Sequence, residues 1–239
     1  MPDNSSKQQA ENVIQKEKLA ILARLTATIS HDIRNPLGTI NTSIFSIKTA
    51  IEKKQPERIE SALRLAERNI KRCDQILTEF IDVTHKVEIN TMPTKIDVWI
   101  KGLIEEQAFP PSIEIIHDLN CDHAVAIDPD QLRRALSNII KNALQALKNS
   151  NSAENKLTIH SSMTKDDVVI CVSDTGTGIP ENVLPRIYEP LFSSKSFGVG
   201  LGLTVAREIV EKHDGTISVE SETGSGTKVT LKIPHAPAE

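Results

Sequence analysis

The stretch Ser30-His31-Asp32-Ile33-Arg34-Asn35-Pro36-Leu37 lies within a long helical pattern and decides how the N-terminal part of this 239-residue chain folds. Apolar residues around it recur at steps of three and four, which predicts a helix from about Glu11 to Glu52. The resulting stripe contains Leu22, Leu25, Ile29, Ile33, Pro36, Ile40, Ile44, Ile47 and Ile51. At about 100° per residue, His31 projects about 200° from Ile29, on the side opposite the stripe.

A second helical pattern follows a predicted turn at Gln55-Pro56 and extends to about Val87. Its apolar residues alternate steps of four and three, the spacing of a heptad seam. These residues are Ile59, Leu63, Ala66, Ile70, Cys73, Leu77 and Phe80. A hairpin of two such helices leaves its stripes half exposed, so we expect two copies to form a four-helix bundle in a homodimer. The alternative is that the hairpin packs against the rest of its own chain.

The composition is that of a soluble globular protein, with 38% hydrophobic and 25% charged residues. A net charge of −4 argues against nucleic acid as the main partner, because nucleic-acid binding usually shows as a basic excess. The three cysteines lack metal-ligand spacing, which favours reduced thiols. No apolar run reaches the about 18 residues of a membrane helix. We therefore expect no direct membrane insertion and a cytoplasmic chain, either alone or as the cytoplasmic part of a larger sensor.

The periodicity breaks after the hairpin, which predicts three regions: residues 1–88, a linker over 89–96, and a second domain over 97–239. Strands and helices then mix without strict alternation, so we expect an α+β fold. The predicted helices cover residues 98–108, 129–147, 181–188 and 201–212. The predicted strands cover residues 112–120, 124–127, 157–162, 168–173, 216–220 and 228–233. Asp128 before Pro129 is the predicted N-cap of the second of these helices.

Candidate binding groups follow in the second domain. Asn138 and Asn142 lie four residues apart on one helix face, which by itself is typical of a solvated surface. Asp174-Thr175-Gly176-Thr177-Gly178 ends a strand, where the acid can accept a hydrogen bond from an amine such as the adenine amino group. Gly198-Val199-Gly200-Leu201-Gly202 opens a helix, and its backbone N–H groups can hold phosphates. Lys195 is a candidate cation for phosphate oxygens.

Taken in order, these segments resemble the catalytic core of sensor histidine kinases of two-component systems, over about residues 20–234. The matching boxes are the phosphoacceptor box at 31–36, the asparagine box at 138–142, the first glycine box at 174–178, the phenylalanine box at 189–195 and the second glycine box at 198–202. The short lid with Lys195 and the segment Asn142-Ala143-Leu144-Gln145-Ala146 are most similar to the nitrogen-regulation type.

The resemblance implies roles for three residues of the first helix. His31 takes the γ-phosphoryl group of ATP, and Asp32 acts as general base or orienting acid. The phosphoryl group then passes to an aspartate of a response regulator receiver domain. Asn35 orients water when the enzyme acts in reverse as a phosphatase on that regulator.

For the second domain the resemblance implies a Bergerat-type α/β sandwich that binds ATP and Mg²⁺. Asn142 coordinates the metal, with Asn138 near the phosphates, while Asp174 reads the adenine amino group with support from Thr227. The remaining implied nucleotide-binding residues are Gly176, Gly178, Lys195, Gly198, Gly200 and Gly202.

Three alternatives stay open on the sequence. His31 can be an ordinary surface histidine among chance polar neighbours. The chain can be an ATP-binding switch or ATPase of the same nucleotide fold, with a hairpin that serves only for dimerisation. It can also be a scaffold that retains the shape without the chemistry, although the intact asparagines and glycines argue against this.

Overall fold

The computed structural model describes residues 29–84, 87–150, 154–190, 192 and 200–235. The chain divides into two compact units, Met1–His85 and Lys86–Glu239. The predicted start of the first helix near Glu11 and the stripe residues Leu22 and Leu25 lie outside the described residues.

The N-terminal unit contains two helices, α1 over residues 29–52 and α2 over Pro56–Thr84. Pro56 begins α2, as expected for a residue that tolerates the first helical turn. Small side chains occupy many of the buried positions of this hairpin: Ser43, Ala50, Ala62 and Ala66. Large apolar residues spaced by seven remain exposed instead, namely Leu37, Ile44 and Ile51 on α1 and Leu63, Ile70 and Leu77 on α2.

This pattern agrees with the expectation that a single hairpin leaves the stripe on α1 half exposed. Ile44 and Ile51 are 45% and 61% exposed, whereas Ser43 and Ala50, one residue earlier, are buried. The reason is that contact within a hairpin buries only a narrow strip of each helix, which leaves the neighbouring strip accessible. Each helix of the hairpin therefore has an inner series and an exposed series of apolar residues.

The C-terminal unit combines two sheets with three helices among its described residues. Its elements are β1 (Met92–Lys95), α3 (Ile96–Glu106), β2 (Glu114–Leu119), β3 (Ala124–Ile127), α4 (Pro129–Lys148), β4 (Lys156–Met163), β5 (Asp167–Asp174), a 3₁₀ turn (Leu184–Arg186), α5 (Gly202–Lys212), β6 (Thr216–Glu222) and β7 (Gly226–Pro234). The larger sheet has the strand order β2-β4-β5-β7-β6. Only β2 and β4 pair in parallel within it, which confirms the α+β class.

Helices α4 and α5 contact the larger sheet and bury its inner face. Alternate residues of the central strands form this core: Leu157, Ile159, Ile170, Val172, Val229, Leu231 and Ile233. Helix α4 buries the matching stripe Leu132, Leu136, Ile139, Ile140, Ala143 and Leu147. This stripe sets the rotation of α4 and so places Asn138 and Asn142 on its flank, where both are half-buried rather than on a solvated face.

Two predicted segments differ in the structure. Residues 92–95 of the expected linker form β1, which pairs antiparallel with β3 from Met92↔Ile127 to Lys95↔Ala124. Pro93 is tolerated there because a two-stranded sheet has only edge strands. The expected helix over residues 181–188 is reduced to the 3₁₀ turn, which contains Pro185, a residue without a backbone N–H to donate.

Candidate functional site

His31 lies near the described start of α1 with its side chain in solvent. The side chain is 73% exposed, and its Nδ1 atom lies 3.4 Å from Oδ1 of Asp32. A proton on Nδ1 directed at this carboxylate leaves the lone pair on Nε2, the tautomer needed for a nucleophilic imidazole. Asn35 follows one turn later and is also exposed, whereas the next residue, Pro36, is buried. The three predicted residues of this helix therefore lie close together along α1, with His31 and Asn35 open to solvent.

The start of α4 is fixed by a network of hydrogen bonds around Asp128. As predicted for an N-cap, its Oδ1 accepts from the N–H groups of Asp130 at 3.1 Å and Gln131 at 3.0 Å. His213, which ends α5, accepts from the Asp128 N–H through Nε2 at 3.0 Å. Nδ1 of the same ring lies 2.8 Å from the Ile209 carbonyl oxygen, so it carries the proton and donates it. This buried imidazole joins the beginning of α4 to the end of α5.

The opposite end of α5 lies beside the two asparagines of α4. A β-carbon built on Gly202 would lie 3.6 Å from Cβ of Asn138 and 3.9 Å from Nδ2 of Asn142. Gly202 is the first residue of α5, where backbone N–H groups lack helical partners and the helix dipole favours negative charge. The absence of a side chain at Gly202 leaves space between these donors and the asparagine amides.

Asp174 is the last residue of β5 and is 6% exposed. Its Oδ1 accepts from the N–H of Gly176 at 2.8 Å. A β-carbon on Gly176 would lie 2.7 Å from both this oxygen and the backbone of Ala146, so only glycine fits there. Gly178 and Gly200 have φ angles of 65° and 74°, values that side-chain-bearing residues rarely adopt.

Thr227 lies directly opposite Asp174, and Ser221 lies directly opposite Thr227, across β5, β7 and β6. The Ser221 Oγ atom lies 2.9 Å from Oγ1 of Thr227 and accepts from the N–H of Ile179 at 2.8 Å. Thr227 is among the residues predicted from the sequence, whereas Ser221 and His213 are not. The signal for Ser221 was its position across the predicted hairpin from Thr227, whereas His213 carried no signal beyond its place at a helix end.

The segment after β5 contains aromatic residues packed against arginines. The guanidinium of Arg186 lies 4.2 Å from the ring centroid of Phe192, and that of Arg207 lies 5.1 Å from the ring centroid of Tyr188. Burial raises the pKa of the Tyr188 hydroxyl, which keeps it neutral. Lys195 and Gly198, two predicted phosphate-binding residues, lie outside the described residues.

Two family models match separate parts of this chain. The His Kinase A (phospho-acceptor) domain matches residues 21–86. The family described as histidine kinase-, DNA gyrase B-, and HSP90-like ATPase matches residues 127–237. Among curated relatives, sporulation kinase C of Bacillus subtilis is 30% identical over 225 residues, which cover 92% of this chain and 50% of that protein. The sensor histidine kinase ZraS of Escherichia coli is 33% identical over 230 residues, which cover 92% of this chain and 47% of ZraS.

Solved structures show the same fold. Histidine kinase ThkA, in complex with response regulator protein TrrA, has a TM-score of 0.77 at 24% identity and covers 99% of this chain and 69% of that chain. Full-length ShkA in complex with AMPPNP has a TM-score of 0.60 at 22% identity. The match covers 90% of this chain and 46% of the ShkA chain. The chain belongs to the sensor histidine kinases, because the two family models together match residues 21–86 and 127–237. It spans half or less of the length of the curated relatives given above. Within the described part of the chain, no helix is both long and apolar enough to cross a membrane.

Proposed function

We propose that this chain transfers the γ-phosphoryl group of ATP to His31 and then to an aspartate of a response regulator receiver domain. The observation that carries the proposal is the accessible imidazole of His31, whose Nδ1 lies 3.4 Å from the Asp32 carboxylate. The rival reading of an isolated surface histidine gives no reason for this pairing. In a kinase the pairing directs the Nε2 lone pair outward and stabilises the imidazolium that forms during attack.

The proposed reaction requires little covalent chemistry from the protein. A bond forms between Nε2 of His31 and the γ-phosphorus, and the bond from that phosphorus to the β,γ-bridging oxygen breaks. The electron pair of the broken bond leaves with ADP, while Asp32 retains its hydrogen bond to the Nδ1 proton. Positioning and charge neutralisation then account for the catalysis.

The proposed nucleotide site is formed by the residues around α4 and α5. Asp174 and Thr227 hold the adenine amino group, and Asn138 lies near the phosphates with the backbone of Gly200 and Gly202. Asn142 is assigned to Mg²⁺ through its amide oxygen, because Mg²⁺ prefers oxygen ligands. When bound, Mg²⁺ neutralises phosphate charge. Gly176, Gly178, Lys195 and Gly198 complete the proposed set.

We further propose the domain organisation 1–88, 89–96 and 97–239 for phosphoacceptor hairpin, linker and ATP-binding domain. Because β1 pairs with β3, the part of the linker over residues 92–95 belongs structurally to the C-terminal unit. Movement between the two domains would then be confined to the residues before β1.

A homodimer is part of the same proposal. On α2, Leu63, Ile70 and Leu77 recur every seven residues and are 46%, 57% and 45% exposed. Such a series is the pattern that a second hairpin covers in a four-helix bundle.

The proposed protein partner is a receiver domain, because ThkA is solved with a response regulator. We also propose phosphatase activity toward that regulator, on the basis of the exposed Asn35.

The proposal is tested by incubation with ATP labelled at the γ position and Mg²⁺. We expect acid-labile, base-stable labelling that His31→Gln abolishes while the affinity for ATP is retained. His160→Gln, a change of another solvent-accessible histidine, is the control and should label normally. Persistent labelling of His31→Gln contradicts the assignment of the phosphorylated residue. Phosphate release without labelled protein supports an ATPase. The absence of both labelled protein and released phosphate supports a scaffold.

A further inference from the structure

The half-buried Ser221 hydroxyl takes part in a hydrogen-bond network beside the proposed adenine site. Its Oγ atom makes three contacts: with the N–H of Ile179 at 2.8 Å, with the carbonyl oxygen of Gly226 at 2.8 Å and with Oγ1 of Thr227 at 2.9 Å. A serine hydroxyl has one proton to donate and two lone pairs to accept with. Three partners therefore use its full capacity.

The direction of each hydrogen bond follows from counting protons. The Gly226 carbonyl oxygen has no proton, so the single proton of Ser221 must lie in that contact. The Ile179 N–H is a donor and occupies one lone pair of Oγ. The remaining contact is between two hydroxyl oxygens, and the proton in it must come from Thr227.

This count determines what Thr227 can offer to a ligand. Because its proton is donated to Ser221, Oγ1 of Thr227 has only lone pairs left. Asp174, the register partner of Thr227 on β5, is likewise an acceptor when ionised. Two neighbouring side chains on one face of the sheet thus both require hydrogen-bond donors from the ligand.

We propose that Ser221 is a positioning residue for nucleotide recognition: it keeps Thr227 in the acceptor state, so that Asp174 and Thr227 together select a base carrying an amino group. This inference rests on the proposed function, since ATP supplies the amino group. Adenine has an exocyclic amine with two N–H donors, one for each acceptor. A base without that amine presents no N–H donor at that position to either oxygen.

A purely structural role for Ser221 makes a different prediction. If the hydroxyl only ties β6 to the loop that contains Ile179, its loss weakens every nucleotide equally. If it sets the state of Thr227, its loss lets the threonine hydroxyl rotate and donate as well as accept. The penalty for a missing amino group then decreases, so the ratio of two affinities separates the two roles.

The experiment measures equilibrium dissociation constants by calorimetry for ATP and for purine riboside triphosphate, which carries hydrogen in place of the amino group. For the unmodified chain we expect the analogue to bind at least roughly tenfold more weakly, as for lost hydrogen bonds to a charged acceptor. Ser221→Ala should reduce this ratio by about three- to tenfold. Ser221→Thr retains a hydroxyl and should restore the ratio. Ser218→Ala changes an exposed serine of the same strand and should leave the ratio unchanged.

Thr227→Val provides an independent measurement, including the case in which Ser221→Ala does not fold. It should reduce the ratio at least as much as Ser221→Ala, and adding Ser221→Ala to Thr227→Val should reduce it no further, because both changes act through the same Thr227 hydroxyl. An unchanged ratio in Thr227→Val, or equal weakening of both nucleotides by Ser221→Ala, overturns the inference while ATP binding stands. If the unmodified chain binds neither nucleotide, the proposed function itself fails, which is a distinguishable result.

Discussion

Nδ1 of His31 lies 3.4 Å from Oδ1 of Asp32, its immediate neighbour on α1. Consecutive side chains on a helix diverge by about 100°, so this contact requires the two side chains to turn toward each other. The distance is long for a hydrogen bond, and such contacts in free enzymes tighten as charge develops on the histidine. In the proposed reaction, the pair would therefore respond to phosphoryl transfer.

Asp32→Asn tests this pairing because the amide preserves the shape but not the charge. We expect the rate of autophosphorylation to decrease by about 100-fold, within the range for loss of a positioned acid or base. The dissociation constant for ATP should change less than about twofold, since Asp32 lies in the N-terminal unit. Rates come from single-turnover labelling. Asp74→Asn, an exposed carboxylate on α2, is the control; a normal rate in Asp32→Asn would remove the proposed role.

Gly176→Ala should lower both stability and ATP affinity. Its β-carbon would lie 2.7 Å from Oδ1 of Asp174 and from Ala146, so the loop or α4 must move. We expect a loss of about 1–3 kcal/mol in the free energy of unfolding, typical of overpacking. The matched change is Gly102→Ala in α3, which meets nothing within 4 Å and should stabilise by about 0.5–1 kcal/mol. Urea denaturation and ATP titration measure both effects, and equal behaviour of the two variants would contradict the prediction.

Ile70→Glu should dissociate the proposed dimer. Ile70 is 57% exposed in one chain and belongs to the seven-residue series that a second copy would cover. Burying a carboxylate there without a partner should raise the dimer dissociation constant by about 100-fold or more. Leu65→Glu changes an exposed leucine outside the series and should leave the dimer intact. Sedimentation equilibrium distinguishes the outcomes, and a monomeric unmodified chain at micromolar concentration would disprove the dimer.

His213→Leu should destabilise the C-terminal unit without touching the proposed site. The change removes the acceptor for the Asp128 N–H and the donor for the Ile209 carbonyl oxygen, which leaves two buried polar groups unpaired. We expect a loss of about 1–3 kcal/mol in the free energy of unfolding, measured in urea. His160→Leu breaks a more exposed contact with Asp118 and should cost less than about 1 kcal/mol. Equal losses would show that the His213 hydrogen bonds are not the stabilising feature.

Much of the fold was predictable because its signals are local. The capping Asp128 and the following Pro129 place the start of α4 at the predicted residue. Strand β3 covers residues 124–127 as expected. At the end of α5, in contrast, the left-handed residue is Asp214, with a φ of 57°, a conformation that glycine adopts more readily. Gly215 is needed for a different reason: a β-carbon there would lie 2.4 Å from the Lys232 carbonyl oxygen, a contact with a distant strand.

The sequence by itself determined the two heptad helices, the cap of α4 and the glycine-rich turns, since periodicity, capping and backbone freedom act between near neighbours in the chain. Only the tertiary structure decided that Gly202 lies beside Asn138, that Ser221 lies opposite Thr227, and that His213 bonds to Asp128, 85 residues away. These contacts depend on strand register and helix packing, which arise from the folded chain as a whole. The chemistry of individual residues could therefore be inferred from the sequence. The direction of the hydrogen bond between Thr227 and Ser221, in contrast, depends on the assembled sheet.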